Sequence, residues 1–229
     1  MVDIRPDPGA GARLSLERLF SPRSLAIVGA SSNPDKIGGI PLRYACGFGF
    51  AGDVYPVNPN AQTVQGMRAW PSLAAIGQPI DLAVLAVPAA AVESAVADAA
   101  AAGVANLIVF SSGFAETGAD GEAAQQRIAR ACRDAGIRML GPNCLGVMNV
   151  RRHLYATFSP APASGLVEPG RIALASQSGA FGAYAYAMAR ERGIGLSLWA
   201  TTGNEADLQL ADCLDWMARD PDTDVVMVY

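Results

Sequence analysis

Short runs of apolar residues alternate with helix-length segments along most of the chain. Nearly every position in these runs is apolar, which is the pattern of strands that are covered on both faces. Because such strands alternate with helices, the pattern predicts a parallel sheet with crossover helices. The predicted strands are Ser24–Gly29, Val54–Val57, Leu82–Val87, Leu107–Ser111, Arg138–Leu140, Ile172–Ser176, Leu196–Thr201 and Val225–Tyr229.

Three of the intervening segments carry clear helix signals. The Ala-rich segment Val92–Ala102 follows Pro88, whose missing N–H costs nothing in a first helical turn, and it ends at Gly103. The segments Gly121–Ala135 and Leu210–Met217 place apolar residues on one face. This arrangement is typical of helices that cover a sheet.

Prolines and glycines crowd into residues 150–170, where no periodicity is visible. We therefore predict a flexible segment over 1–18, a first α/β domain over 19–149, a linker over 150–170 and a second α/β domain over 171–229. The last predicted strand begins a buried run at the end of the chain, so the second domain is expected to be incomplete.

Composition excludes several classes of protein. With 51% hydrophobic and 17% charged residues, most of the 229-residue chain can fold around a core. A net charge of -4 provides no basic field for a polyphosphate backbone, so a nucleic-acid partner is not expected.

The four cysteines are far apart and show no C-x-x-C spacing, which predicts no metal site and, for three of them, buried thiols in a reducing compartment. The first 20 residues lack the apolar core of a signal peptide, and charged residues interrupt the most apolar stretch of the chain. These features favour a cytoplasmic protein without a membrane span.

The glycine-rich loop Gly29–Gly39 follows the first predicted strand and precedes a helix. The amides of Ser31 and Ser32, the helix N-terminus and Lys36, the only lysine in the chain, favour a phosphate or nucleotide there. An ordinary strand-to-helix turn is the alternative. The loop lacks G-x-G-x-x-G, and the second strand ends at Asn58 without a carboxylate, so NAD is disfavoured.

Two further loops follow predicted strands. In Gly141–Cys144, Cys144 is either a nucleophile or a structural thiol, and the side-chain amide of Asn143 can orient an oxygen atom. Ser176–Gly182 offers backbone amides at a helix N-terminus, which suit one phosphoryl group. A plain N-cap explains the same residues equally well.

Five motifs in order, LFSPRSLAIVGAS, VYPVNPN, AVPA, FSSGFAE and GPNCLGVMN, resemble the CoA-binding domain of nucleoside-diphosphate-forming acyl-CoA synthetases. These enzymes are relatives of the succinyl-CoA synthetase α subunit, and the resemblance runs from Leu19 to Tyr229. It implies a Rossmann-like parallel-sheet CoA-binding domain followed by an incomplete flavodoxin-like α/β domain.

The resemblance also implies site residues. The first loop would lie along the CoA phosphates, and Asn58 would contact the adenosine end. The implied CoA contacts are Ala30, Ser31, Ser32, Lys36, Asn58, Val87, Pro88, Ser111, Ser112 and Gly113. The implied lining of the phosphate and active site is Asn143, Cys144, Ser176, Ser178 and Gly179.

The implied reaction joins a carboxylic acid to CoA with consumption of ATP or GTP, through an acyl phosphate and a phosphohistidine. The histidine and the ATP-grasp domain or subunit that binds the nucleotide and Mg²⁺ belong to the complete enzyme, so this chain alone is expected to be inactive. Its one histidine, His153, lies in the predicted linker and is not expected to be catalytic. Whether the chain forms a homo-oligomer is left open.

A second hypothesis comes from a different class of protein. The chain would then be a CoA- or acyl-CoA-binding regulatory module of a protein acetyltransferase, with no ligase activity. The residues from 1 to 229 do not distinguish the two hypotheses.

Overall fold

The computed structural model describes residues 16–229. In chain order its strands are β1 (Ser24–Val28), β2 (Asp53–Val57), β3 (Thr63–Val64), β4 (Met67–Arg68), β5 (Leu82–Leu85), β6 (Asn106–Val109), β7 (Arg138–Leu140), β8 (Gly146–Asn149), β9 (Leu154–Thr157), β10 (Pro169–Ser176), β11 (Leu196–Thr201) and β12 (Val225–Val228). The α-helices with both ends in this part are α1 (Ile40–Gly47), α2 (Ala89–Ala101), α3 (Ala119–Asp134), α4 (Gly179–Glu191) and α5 (Leu210–Met217).

The first sheet is parallel throughout and has the order β2-β1-β5-β6-β7. The chain passes from β1 outward to β2 and then crosses back to β5, so the loops after β1 and β5 diverge at the switch point where ligands of such sheets bind. The prediction of a parallel sheet with crossover helices is confirmed for this half of the chain.

Strand β5 shows why these runs are apolar at every position. Leu82 and Val84 enter one hydrophobic cluster, whereas Ala83 and Leu85 enter another on the opposite face. All four are fully buried. The first of these clusters continues into Ala175 of β10, so the two sheets share part of their core.

The second sheet has the order β12-β10-β11-β8-β9 and is mixed. Strands β10, β11 and β12 are parallel, whereas β8 pairs antiparallel with β11, and β9 with β8. The apolar pattern predicts only the parallel strands of this sheet, and the β8–β9 hairpin is an addition that the structure shows. Both hairpin strands are buried along their whole length, so they show no polar alternation that would have marked an antiparallel pair.

Two of the predicted segments differ in detail from the structure. Strand β9 lies inside the predicted linker 150–170 and is paired in the second sheet. Residues 1–15 of the predicted flexible segment 1–18 lie outside the described residues. The rest of that segment belongs to a helical turn, residues 16–20. Phe20 at the end of this turn stacks on Trp216 with ring centroids 4.6 Å apart. The division into domains stays a prediction.

Helix α4 packs closely against the second sheet at Gly182. A Cβ at this position would lie 2.7 Å from Thr201 Cγ2 and 3.0 Å from Trp199 Cζ2. The indole N–H of Trp199 also donates to the carbonyl of Gly182 at 2.8 Å. Helix α4 can therefore lie this close to the sheet only because residue 182 is a glycine.

We expect Gly182→Ala to lower the free energy of unfolding by about 1–3 kcal/mol, because the added methyl overpacks this contact. Urea denaturation followed by far-UV circular dichroism measures the change. Gly47→Ala is the matched control: it also lies in a helix, has no heavy atom within 4 Å of the added Cβ, and should change stability by less than about 1 kcal/mol. Equal effects of the two substitutions would contradict the packing argument.

Candidate functional site

The loop after β1, residues 29–39, is closed by its own hydrogen bonds. Ser31 N–H donates to Gly38 O at 3.2 Å, and Asn33 N–H donates to Ser31 Oγ at 3.1 Å. A Cβ at Gly38 would lie 2.0 Å from Gly29 O. Any side chain at this position would therefore break the loop open.

The same loop also uses the first amides of α1. The N–H groups of Gly39 and Ile40 both donate to Lys36 O, at 2.7 and 2.9 Å, and Pro41 has no N–H. The amides of Ser31, Gly39 and Ile40 are therefore engaged inside the loop, and a phosphate contact of Ser31 and this helix N-terminus stays a prediction.

Two exposed groups of the loop are available to a ligand, Ser32 and Lys36. The neighbouring carboxylate of Asp35 pairs with Arg43 at 2.8 Å rather than with the lysine. A hydroxyl and an unneutralised ammonium group fit a diphosphate, which offers several oxygen acceptors and negative charge. The donor set therefore fits the phosphates of CoA.

The side chain of Asn58 supports this loop from the end of β2. Its Nδ2 donates to Ala30 O at 2.9 Å, and its Oδ1 accepts from Asn60 N–H at 2.8 Å. Both ends of the amide are thus engaged, and they fix the path of the chain after β1. A contact of Asn58 with adenosine stays a prediction.

The loops after β5 and β6 lie next to each other at the same edge of the sheet. Ser111 Oγ donates to Val87 O at 2.5 Å and ties them together. Pro88, Ser112 and Gly113 are exposed on this edge, and Gly113 adopts φ = 101°. The structure therefore places these predicted CoA contacts along one continuous edge with the β1 loop.

A cavity of about 430 Å³ lies where the carboxyl ends of the two sheets face each other. The first sheet contributes residues after β6 and β7, and the second sheet contributes residues after β10 and β11. The lining includes Phe110, Asn143, Cys144, Ser178, Gly179 and Asn204. Four of the five residues predicted to line the phosphate site are thus brought together from separate sheets.

Ser176 is the exception. It is fully buried, and its hydroxyl donates to Ser178 O at 2.8 Å beneath the loop. Ser178 is the N-cap of α4, and its Oγ accepts from Phe181 N–H at 3.2 Å. The N–H groups of Gly179 and Ala180 precede the first intrahelical bonds, and both residues line the cavity. The cap uses only one of the free amides at this helix end, so capping leaves room for the phosphate contact, which stays a prediction.

Cys144 is a structural thiol. It is 2% exposed, and its Sγ donates to the carbonyls of Val109 and Leu140 at 3.5 and 3.8 Å. Burial raises its pKa to about 12. At neutral pH the group is a protonated thiol, so it does not act as a nucleophile.

The loop after β11 fastens the second sheet to the first. The N–H groups of Asn204, Ala206 and Leu208 donate to carbonyls of residues 139–142 at 2.9–3.0 Å. A Cβ at Gly203 would lie 2.4 Å from the carbonyl oxygens of Pro142 and Asn143, so the backbones meet without a side chain between them. This contact holds the cavity walls at a fixed separation.

A second cavity of about 480 Å³ lies at the opposite edge, by the amino ends of β7 and β11. Its charged side chains pair with one another, as in Arg151–Asp222 at 3.4 Å and Arg219–Asp215 at 2.8 Å. It is remote from the carboxyl ends where the ligand loops lie. His153 is exposed in the β8–β9 turn and lines neither cavity.

Comparisons with known proteins bear on the same regions. Residues 23–150 match the family model described as a CoA binding domain. The chain belongs to this CoA-binding domain family. Residues 169–229 match a second family model, described as a succinyl-CoA ligase like flavodoxin domain. The resemblance drawn from the five motifs is therefore confirmed, together with the fold class that it implies.

Two relatives of this chain are acetate–CoA ligases that are much longer than the chain itself. The acetate–CoA ligase [ADP-forming] I subunit alpha of Pyrococcus furiosus is 36% identical over 220 residues, which are 94% of this chain and 47% of the relative. The acetate–CoA ligase [ADP-forming] I of Archaeoglobus fulgidus is 37% identical over 215 residues, which are 93% of this chain and 30% of the relative.

A solved structure is similar to almost the whole of this chain. It is the dinucleotide forming acetyl-coenzyme A synthetase 1 of Ca. Korarchaeum cryptofilum, in complex with phosphate and ADP, with a TM-score of 0.88 and 39% identity. The match covers 93% of this chain and 45% of that one. Our chain thus spans less than half the length of each of these three proteins.

Sequence reasoning missed a polar cluster between the CoA-binding domain and the second sheet. Asn204 Nδ2 donates to Glu116 Oε2 at 2.5 Å and to Gln125 Oε1 at 3.0 Å, and Asn204 Oδ1 accepts from Asn143 at 3.3 Å. Glu116 ends the FSSGFAE motif, but only the folded chain shows that it meets a residue 88 positions away.

Residues 16–229 contain neither a candidate membrane span nor a candidate metal cluster. No helix in this range is both long and apolar enough to cross a bilayer. The same residues contain no group of three or more His, Cys, Asp or Glu side chains placed to hold a metal ion.

We expect iodoacetamide at about pH 8 to alkylate Cys46 in the folded protein and to leave Cys144 unmodified, because Cys46 is exposed and Cys144 is buried. Burial raises the pKa of both thiols, that of Cys144 to about 12. Peptide mass spectrometry measures both sites. Cys213, which is equally buried with a pKa of about 12, is the matched control. Alkylation of Cys144 as fast as that of Cys46 would contradict its assignment as a structural thiol.

Proposed function

We propose that this chain is the CoA-binding part of an NDP-forming acid–CoA ligase. One observation carries the proposal: the edge of the CoA-binding domain that presents Ser32 and Lys36 continues into a cavity that ends at the first amides of α4. A CoA site and a phosphate site are therefore adjacent. The names of the relatives, which are ADP-forming acetate–CoA ligases, support the same reaction class.

The chemistry explains why the two sites should adjoin. A carboxylate is a poor electrophile. Phosphorylation, in which the phosphoryl group passes from the nucleoside triphosphate through the phosphohistidine and the nucleoside diphosphate leaves, makes one carboxylate oxygen part of a leaving group. The sulfur of CoA then attacks the carbonyl carbon: the C–S bond forms, the bond from that carbon to the phosphoryl oxygen breaks, and inorganic phosphate leaves with the proton of the thiol. Thiol and phosphoryl group must therefore meet within one cavity.

The chain's own residues supply binding and charge stabilisation. Lys36 and Ser32 hold the CoA diphosphate at the outer edge. The amides of Gly179 and Ala180, at the positive end of the α4 dipole, stabilise the charge of the phosphoryl group. The amide of Asn143 orients an oxygen of the reacting group from the opposite wall.

The remaining parts of the reaction belong to a longer protein or a second subunit. These are a phosphorylated histidine and an ATP-grasp domain that binds ATP or GTP with Mg²⁺. The carboxylic acid is a further substrate of the assembly. Because CoA and nucleotides are consumed, and because all four cysteines are free thiols, the proposal includes a cytoplasmic location.

A CoA-binding regulatory module is the alternative function. It requires the CoA edge but gives no role to the α4 cavity. The position of that cavity beside the CoA edge therefore favours the ligase.

We expect the chain to bind CoA with a saturable isotherm, and Lys36→Ala to weaken binding by about tenfold, because one charge-assisted hydrogen bond to phosphate is lost. Isothermal titration calorimetry measures both dissociation constants. The affinity for wild-type chain should also fall as salt is added.

Arg192→Ala is the matched control. It removes one exposed positive charge at the far end of α4 and should leave the CoA affinity within about twofold of wild type. Equal losses in the two variants would mean that Lys36 acts only through net charge. A wild-type chain that binds no CoA would overturn the proposed function.

A further inference from the structure

Glu116 connects two loops that belong to different sheets. It lies after β6, three residues beyond Gly113. Its Oε1 accepts from Gly113 N–H at 2.6 Å, and its Oε2 accepts from Asn204 Nδ2 at 2.5 Å. One carboxylate therefore holds the outer CoA edge and the wall of the α4 cavity at the same time.

The orientation of Asn204 is fixed by the same set of contacts. Its Nδ2 has two acceptors, Glu116 and Gln125, and its Oδ1 has one donor, Asn143. Its backbone N–H donates to Pro142 O at 2.9 Å. A flipped amide would set oxygen against two acceptor oxygens, so only one orientation satisfies every partner.

The carboxylate is ionised when it makes these contacts. Partial burial raises the pKa of Glu116, but hydrogen bonds from Asn204 and from the N–H of Gly113 outweigh it and lower the pKa below its usual range. Hydrogen bonds to an ionised acceptor are about twice as strong as neutral ones. Glu116 is exposed, and its link between the two loops consists of these two charge-assisted hydrogen bonds.

We propose that Glu116 is a positioning residue for CoA: by holding Gly113 N–H and the Asn204 side chain together, it sets the loop at residues 111–113 in the conformation that receives the CoA arm beside the phosphate cavity. The inference rests on the proposed function, because it needs CoA on this edge. Glu116 itself contacts the loops and need not contact the ligand.

Charge alone gives the opposite expectation for a Glu116 variant. CoA is a polyanion, so removing a nearby negative charge should tighten binding through long-range electrostatics. Removing a positioning residue should weaken binding instead. The sign of the change therefore separates the two effects.

The test uses three variants of the full chain: Glu116→Gln, Asn204→Asp and the double variant. In Glu116→Gln the new side-chain NH₂ group faces one of two donors, Gly113 N–H or Asn204 Nδ2. In Asn204→Asp two carboxylates face each other. Each single variant should therefore weaken CoA binding by about tenfold. In the double variant the amide of residue 116 donates to the carboxylate of residue 204, and its oxygen accepts from Gly113. The side-chain amide of Gln125, which accepts from Asn204 in the wild type, turns over so that its Nε2 donates to the same carboxylate. The affinity of the double variant should return to within about threefold of wild type.

Calorimetry gives the affinities, and thermal unfolding of each variant shows whether it is folded. Glu122→Gln is the matched control, since it removes an exposed carboxylate from α3 and should bind CoA as wild type does or slightly more tightly. A role in stability alone would lower the unfolding temperature of the single variants and leave the CoA affinity of the folded protein unchanged.

The outcomes separate the two proposals. If the wild-type chain binds no CoA, the proposed function fails, and the positioning role fails with it. If wild type binds CoA and both single variants bind equally well or better, only the positioning role fails. The positioning role also fails if the single variants lose CoA binding and a folded double variant does not regain it. The loss would then not come from the broken contact between residues 116 and 204.

Discussion

The backbone contact between the loop after β11 and the turn after β7 is the constraint on which the rest of the structure depends. Alternate N–H groups of residues 204–208 donate to carbonyls of residues 139–142, and Asp207 accepts from the N–H of Met139 and pairs with Arg138. Gly203 allows the close approach, since any Cβ would meet backbone oxygens. Because this contact joins the carboxyl edges of the two sheets, it creates the cavity between them.

Rigidity on the ligand edge comes from hydrogen bonds that the loops make to themselves. The β1 loop uses the amides of Ser31 and Gly39 internally, and Asn58 holds Ala30 from the neighbouring strand. A loop that is ordered before binding loses little conformational entropy when a ligand arrives. Because these backbone donors are engaged inside the loop, the phosphate site that we propose relies on exposed side chains such as Lys36.

Much of the fold could be predicted from the sequence, because strands covered on both faces are apolar at each position, as β5 is. The β8–β9 hairpin could not be, since its four-residue strands are buried and lie beside a Pro- and Gly-rich segment. For the site, the motifs placed Asn143 and Gly179 on loops that meet. The engagement of Ser31 N–H by Gly38 and the contact of Glu116 with Asn204 depend on the folded chain, and no local pattern predicts them.

The central claim is that the facing edges of the two sheets form one site for CoA and a phosphoryl group. A crystal structure of the chain with CoA and inorganic phosphate tests it most directly. We expect the CoA diphosphate within hydrogen-bond distance of Ser32 and Lys36, the thiol end at the cavity beside Asn143, and phosphate at the amides of Gly179 and Ala180. CoA bound at the opposite edge, in the cavity beside Arg151 and Trp216, would contradict the account.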